Sequence, residues 1–276
     1  MKNIVMFGAL IVTMFLQFSY LKSLKDDTSQ LSNSRLTQQE LSRTLNLNAL
    51  KLLPAFGFEN ILADWIFLNF IQYFGEADTR KITGYSASPL FFDVLIDRDP
   101  RFVGSYLYLV NSVSMYAGQP QESIRLMEKG LATMLPTAPD RSYFVWRYKA
   151  TDEMLFIGDN KAAQESFRTA ANWAEQSSDE DAQLTAKLSR QTAAFLETNP
   201  NSTPALISGW MNVLSRAIDD NIRQEAIAQI EKLGGEVLLA QDGQVTVRYG
   251  RNRCSSAISK GAEVLSVGGC RASSRK

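Results

Sequence analysis

The sequence predicts an all-α protein, an array of antiparallel helix pairs preceded by an N-terminal transmembrane helix and followed by a small C-terminal β-hairpin. Three observations predict it. From residue 89 to residue 233, helix-like segments alternate with short breaks rich in glycine, proline and Asp/Asn. Two of these segments correspond at an offset of forty residues, marked by Gly118 and Gly158. Nothing before Gly234 alternates polar and apolar residues as a half-buried strand does.

Residues 4–21 read IVMFGALIVTMFLQFSYL, eighteen positions without a charge. That matches a short bilayer-spanning helix at about 1.5 Å rise per residue. A cleaved secretory signal is the alternative, but no A-x-A-like small-residue site follows the run, and no cysteine stands there to be lipidated. An uncleaved anchor over residues 1–21 is therefore expected. Lys2 on a very short tail favours sending the body across the membrane, whereas Lys22, Lys25 and Arg35 argue the reverse by the positive-inside count. The preferred expectation is an extracytoplasmic or lumenal body. Residues 22–36 are polar and read as a tether. Thr37-Gln38-Gln39-Glu40 matches a helix capping box, which would open a helical domain spanning residues 37–235.

Residues 56–74 read FGFENILADWIFLNFIQYF, with thirteen of nineteen positions apolar. Glu59 and Asp64 oppose a second membrane span, because carboxylates in hydrocarbon cost several kcal/mol unless paired. A helix buried nearly all round is expected instead, with Trp65 in its core and Asp64 as a structural carboxylate. Further helices are expected near residues 89–97, 101–117, 120–134, 141–157, 161–175, 180–197, 203–219 and 222–233. Asp99-Pro100, Gly118-Gln119-Pro120, Pro136, Gly158-Asp159-Asn160, Asn199-Pro200 and Gly234-Gly235 punctuate them.

Counted from Gly118 and Gly158, a small residue stands five positions on (Ser123, Ala163), a large one nine on (Met127, Phe167) and a small one twelve on (Gly130, Ala170). Small residues allow close helix approach, and the large one fills the groove between repeats. This pattern resembles the second helix of a tetratricopeptide repeat. Asp99-Pro100-Arg101-Phe102 looks like the turn between two such repeats, which places Ser88 and Phe92 at the small and aromatic positions. The resemblance runs from about residue 58 to residue 173, with weaker pairs continuing to residue 233. The period is about forty rather than 34, and Asn111 and Thr151 stand where the first-helix glycine would be. The runs Ile61-Leu62-Ala63-Asp64-Trp65, Gln72-Tyr73-Phe74-Gly75 and Asp99-Pro100-Arg101-Phe102 also look like those of bacterial, including cyanobacterial, membrane-anchored proteins with such repeats. That likeness implies a plasma- or thylakoid-membrane location.

After Gly235 the pattern changes. Residues 237–247 read as a hairpin whose Asp242-Gly243 supplies a tight type I′ turn, and it should pack on the last helices. The segment from residue 236 to residue 276 is thus a hairpin followed by a basic tail. From Arg248 onward there are seven basic residues and one acid, Glu263, so a +6 tail offsets a −6 remainder. Such a tail would attract anionic lipid headgroups or an acidic partner, and nucleic acid least, since only Tyr249 could stack there; a solvated tail without a ligand is the alternative. Cys254 and Cys270 could bridge in an oxidising compartment and would be free thiols in the cytoplasm.

The chain has 276 residues, no histidine and two cysteines. Triads relying on imidazole, His-ligated zinc and four-thiolate sites are excluded. No cofactor or metal motif is present. The expected function is a membrane-anchored scaffold, not an enzyme, that binds a protein partner and aids assembly or stability of a membrane complex, photosynthetic complexes being among the candidates. First helices line the inner face in this repeat class, so Tyr106, Asn111, Arg147 and Thr151 are the candidate partner contacts, with Met154 expected in the core. Gly118, Gly158, Ala163 and Phe167 are structural candidates. A carboxylate-based envelope enzyme using Asp93, Asp97 and Asp99 or Asp152 and Glu153 is one alternative. A structural tether without a separable partner site is the other.

Overall fold

In the computed structural model the described residues are 33–198, 200–218, 220–239, 245–249 and 254–258. The expected spanning segment at residues 4–21, the hairpin turn and Cys270 lie outside them. Among the described residues no helix is long and apolar enough to cross a membrane.

The chain divides into two compact units, residues 1–43 and residues 44–276. In the first, the described residues belong to the start of α1 (Asn33–Leu52), with Arg43 paired to Glu40 at 3.0 Å. The backbone is already helical at Asn33. Thr37 is therefore inside the helix rather than its N-cap, and the polar tether ends before residue 36. Leu36 and Leu47, three turns apart, are both buried, so the apolar stripe of α1 begins upstream of the capping motif and overrides it.

In the larger unit the end of α1 is followed by α2 (Glu59–Gly75), α3 (Ala77–Thr83), α4 (Ser88–Arg98), α5 (Val103–Leu109), α6 (Pro120–Leu131), α7 (Tyr143–Asp152), α8 (Asn160–Ala174), α9 (Ala182–Glu197), α10 (Thr203–Arg216) and α11 (Asp220–Lys232). Strands β1 (Gly235–Leu239), β2 (Val245–Tyr249) and β3 (Cys254–Ile258) form an antiparallel sheet in that order. The hairpin expected from the sequence is β1 and β2, paired from Gly235↔Tyr249 to Leu239↔Val245. A third strand follows it. Val247 packs in one apolar cluster with Ile230 and Trp210, so the hairpin rests on the last two helices as its marginal intrinsic stability requires.

The forty-residue repeat is a repeat of geometry. α5 runs on into a π-helical segment at Val110–Tyr116, and α7 does so at Glu153–Ile157. The N–H of Ala117 donates to the Ser112 carbonyl at 2.9 Å, and that of Gly158 to the Glu153 carbonyl at 2.8 Å, each reaching back five residues. Gly118 and Gly158 then turn the chain with φ of 64° and 79°, a region that a β-carbon disfavours. Pro120 opens α6, while Asp159 caps α8 by accepting from the Ala162 N–H at 2.9 Å. From there the two second helices bury the same positions residue for residue over 121–131 and 161–171. Ser123, Met127 and Gly130 in one, and Ala163, Phe167 and Ala170 in the other, are all buried.

Each second helix returns antiparallel to its first. Trp146 meets Trp173 with ring centroids 5.8 Å apart, and one turn further on Lys149 reaches Ser166 at 3.3 Å. In the first pair Tyr106 lies across Gly130 and donates its hydroxyl to the Pro100 carbonyl at 2.7 Å. A β-carbon on Gly130 would stand 1.7 Å from that hydroxyl oxygen.

Two expectations fail in this unit. α2 is not buried all round: Ala63, Ile66, Phe70 and Tyr73 face the core, whereas Ile61, Trp65 and Leu68 face outward. Trp65 is 50% exposed and Asp64 is exposed, so neither is a core element. One side of α2 is occupied by α4, where Phe70 meets Phe92 edge-on at 4.6 Å, and no described element covers the opposite face. The repeat also stops earlier than residue 233. α9 packs along α8, but α10 does not pair with α9 as a further repeat would; it lies across the two glycine turns. A β-carbon added at Gly158 would stand 2.9 Å from Leu206 and one at Gly118 3.6 Å from Val213, and Trp210 donates to the Phe156 carbonyl at 3.3 Å.

Gly130→Ala should lower stability by about 1–3 kcal/mol, the range for overpacking a filled core, in urea denaturation. Adding Tyr106→Phe should recover only part of the loss, since the ring carbon bearing the hydroxyl would also be 2.6 Å from the new methyl.

Candidate functional site

The sequence-singled residues of the larger unit fall into two groups. The first is the open side of the two first helices. Asn111 is exposed, and Arg147 and Thr151 are half-buried, with Thr151 Oγ1 donating to the Arg147 carbonyl at 2.9 Å. Tyr106 does not belong to this surface. It is fully buried over Gly130, and burial holds its hydroxyl pKa well above the usual tyrosine value, with the nearby Asp99 charge adding to the shift. Met154 packs with Ala150, Ala163 and Phe167 in the core, as expected. Tyr108 and Tyr148, which occupy matching places in the two repeats, were missed by sequence reading; Tyr108 is exposed, whereas Tyr148 is half-buried and packs against the core beside Phe144. Their forty-residue spacing was the available signal.

The second group is a buried polar cluster where both π-helical segments meet α6 and α8. Asp152 is fully buried and accepts a hydrogen bond from Ser114 Oγ at 2.5 Å. Its other oxygen, Oδ1, has no hydrogen-bond partner, and the Ser123 hydroxyl beside it lies outside bonding geometry. Burial pushes the Asp152 carboxyl up to about 7. The hydrogen bond from Ser114 and the nearness of Ser123 pull it partly back, and the Glu153 charge adds to the rise. Lys149 is paired with Glu153 one turn along α7, stands 3.4 Å from Glu128 and donates to Ser166. Lys149 and Glu153 are both buried, so each neutralises a charge that would otherwise be costly to bury. Sequence reading noted Asp152-Glu153 as neighbours. It did not find Lys149, although an i,i+4 Lys/Glu pair on an expected helix was visible.

The other acidic group, Asp93, Asp97 and Asp99, is dispersed in role. Asp93 and Asp97 on α4 both pair with Lys51 from α1 and Lys129 from α6; Lys129 stands 2.7 Å and 2.6 Å from them. Arg125 adds a contact to Asp93 at 3.4 Å. Partial burial would raise the Asp93 carboxyl, but hydrogen bonds from Lys129 and Lys51 outweigh it and hold the group at about 2. Asp99 instead turns its carboxylate onto the Arg101 N–H at 3.0 Å. Asp93 and Asp97 are therefore joints between helices, and Asp99 is the acceptor of a local turn. Among the described residues no group of three or more His, Cys, Asp or Glu could hold a metal ion. Cys254 lies on β3, and its proposed partner Cys270 is outside the described residues.

Compared with known proteins, the chain matches no family model, no curated protein and no solved structure.

Asp152→Asn should change the pH dependence of stability. A buried acid whose folded pKa is raised favours folding only while protonated, so wild-type stability should fall as pH rises from about 4 to about 7 and then level off. At pH 8 the variant should lack this penalty, which is on the order of 4 kcal/mol at most. Denaturation at pH 4.5 and pH 8 reads the difference, and equal pH profiles for the two proteins would refute the burial argument. Asp93→Asn should behave oppositely. The Asp93 carboxyl is lowered on folding, so its contribution is present above about pH 4 and lost as pH falls toward 2. The stability gap between variant and wild type should close over that window.

Proposed function

We propose that this chain is a membrane-anchored helical-repeat scaffold, divergent from but similar to tetratricopeptide-repeat proteins, that binds a protein partner. One observation carries the reading: two successive helix pairs, forty residues apart, share the same π-helical segment, left-handed glycine and burial pattern. Stacked pairs of this kind bury their faces against one another and leave an extended surface of first helices for a partner. Here that surface carries Asn111, Arg147 and Thr151, together with the exposed Tyr108. Tyrosine supplies large contact area at low conformational cost, and arginine supplies directed hydrogen bonds, the mix that interfaces favour.

The anchor is residues 4–21, and the partner is a subunit or peptide segment of a plasma- or thylakoid-membrane complex whose assembly or stability the scaffold serves. The body is placed outside the cytoplasm or in a lumen, and the basic tail contacts anionic headgroups. Asp93 and Asp97 are engaged by Lys51 and Lys129, and Asp152 and Glu153 are buried, so these carboxylates favour structural roles over glycoside chemistry.

Affinity capture of the full-length tagged chain from detergent-solubilised membranes tests the proposal. A stable partner set should be recovered with wild type and reduced at least tenfold with Asn111→Arg combined with Thr151→Arg, while membrane attachment is unchanged. An identical partner set for the variant would refute the assigned surface.

A further inference from the structure

We propose that the loop at residues 52–58 and the outward face of α2 lie on the surface of a lipid bilayer, with Phe56 and Trp65 seated in its interfacial zone. The proposal rests on the anchor reading and names the part of the body that meets the membrane.

The loop reads LLPAFGF, seven residues without a charge or a polar side chain. Leu52 is 86% exposed and Phe56 84% exposed, and Leu53 and Phe58 are exposed as well. α2 continues this surface with Ile61, Trp65 and Leu68, spaced four and three apart and so on one side of the helix. Phe67, partly buried beneath, meets the ring of Tyr108 edge-on at 5.2 Å, where this face borders the surface assigned to the protein partner. Scattered exposed apolar residues are ordinary, but a contiguous face of this kind marks a surface that something covers.

The loop is held outward. Arg98 on α4 donates to the carbonyls of Leu50, Lys51 and Leu53, the free acceptors at the C-terminal end of α1. Lys51 is tied in turn to Asp93 and Asp97. Phe56 has φ of 50°, a left-handed conformation that is a true outlier for a bulky residue. The next turn, with the Phe58 N–H on the Ala55 carbonyl at 2.8 Å and Gly57 at φ of 88°, locks that geometry. Strained backbone that presents an aromatic ring to the outside points to a use for the ring.

The occupant follows from the shape and chemistry of the face. The seven-residue apolar loop has no periodicity and so offers no repeating ridge for a partner helix to fit. A bilayer interface adapts to any outline, and tryptophan and other aromatics favour that zone. Asn60, Asp64 and Gln72 are also exposed on α2. They keep the helix at headgroup level, parallel to the membrane and out of the hydrocarbon. Eleven residues separate Leu21 from Asn33, at most about 40 Å of extended chain, so an anchor at residues 4–21 keeps the start of α1 within that distance of the bilayer.

The test uses the full chain reconstituted in neutral phosphatidylcholine vesicles whose acyl chains do or do not carry bromine. The chain has four tryptophans, of which Trp65 is the most exposed. Brominated lipid should quench part of the emission. Trp65→Phe should cut the quenched fraction at least twofold with an unchanged circular dichroism spectrum, and Phe56→Trp should increase it. A chain that floats with the vesicles while Trp65→Phe leaves quenching unchanged overturns this proposal alone. Trp65 shielded from both bromine and aqueous acrylamide also overturns it and places a second copy on the face. A chain that does not float overturns the anchor reading with it.

Discussion

The larger unit depends on how α10 lies across the two glycine turns. Both helix pairs end on the same side, at Gly118 and Gly158, and both ends are widened by π-helical segments. α10 closes them together, with Leu206 on one turn and Val213, two helical turns away, on the other. The approach leaves no room for a side chain at Gly209, where a β-carbon would sit 2.5 Å from the Leu155 carbonyl oxygen. Trp210 then fills the adjacent space against Phe156. From that crossing α11 and the sheet follow, since Ile230 and Val247 complete the same apolar cluster.

This crossing also explains what the sequence could and could not show. Helix ends were legible because Pro120, Gly158, Pro200 and Gly234 break the backbone locally. The repeat was legible because close packing demands small residues at fixed places, and Gly130 and Ala170 meet that demand. The end of the repeat was not, because what redirects α10 is a long-range contact signalled only by Gly209. The π-helical segments carry no breaker either; they are built from ordinary helix-compatible residues, and only the tertiary contacts around them select the wider turn.

α2 was misread for a related reason. Thirteen apolar residues in nineteen measure what a segment would prefer to touch, not what is available to touch it. The core-facing line of Ala63, Ile66, Phe70 and Tyr73 spends one side of the helix, and the apolar residues opposite remain uncovered. The buried cluster at Asp152 was hidden differently. Ser114 lies 38 positions away in sequence, and only the pairing of α7 with the preceding hairpin brings its hydroxyl to the carboxylate.

The Arg98 clamp has a mechanical side. Any pull on the chain from its N-terminal end arrives in the larger unit through the last turns of α1. There the load meets three carbonyls gripped by one guanidinium and a lysine held by two carboxylates on α4. Lys129 passes part of that grip on to α6. Tension is thus shared with two packed helices, α4 and α6, at the point where the loop at residues 52–58 begins. The ion pairs that tie α1 to α4 and α6 therefore stand where such a load would enter.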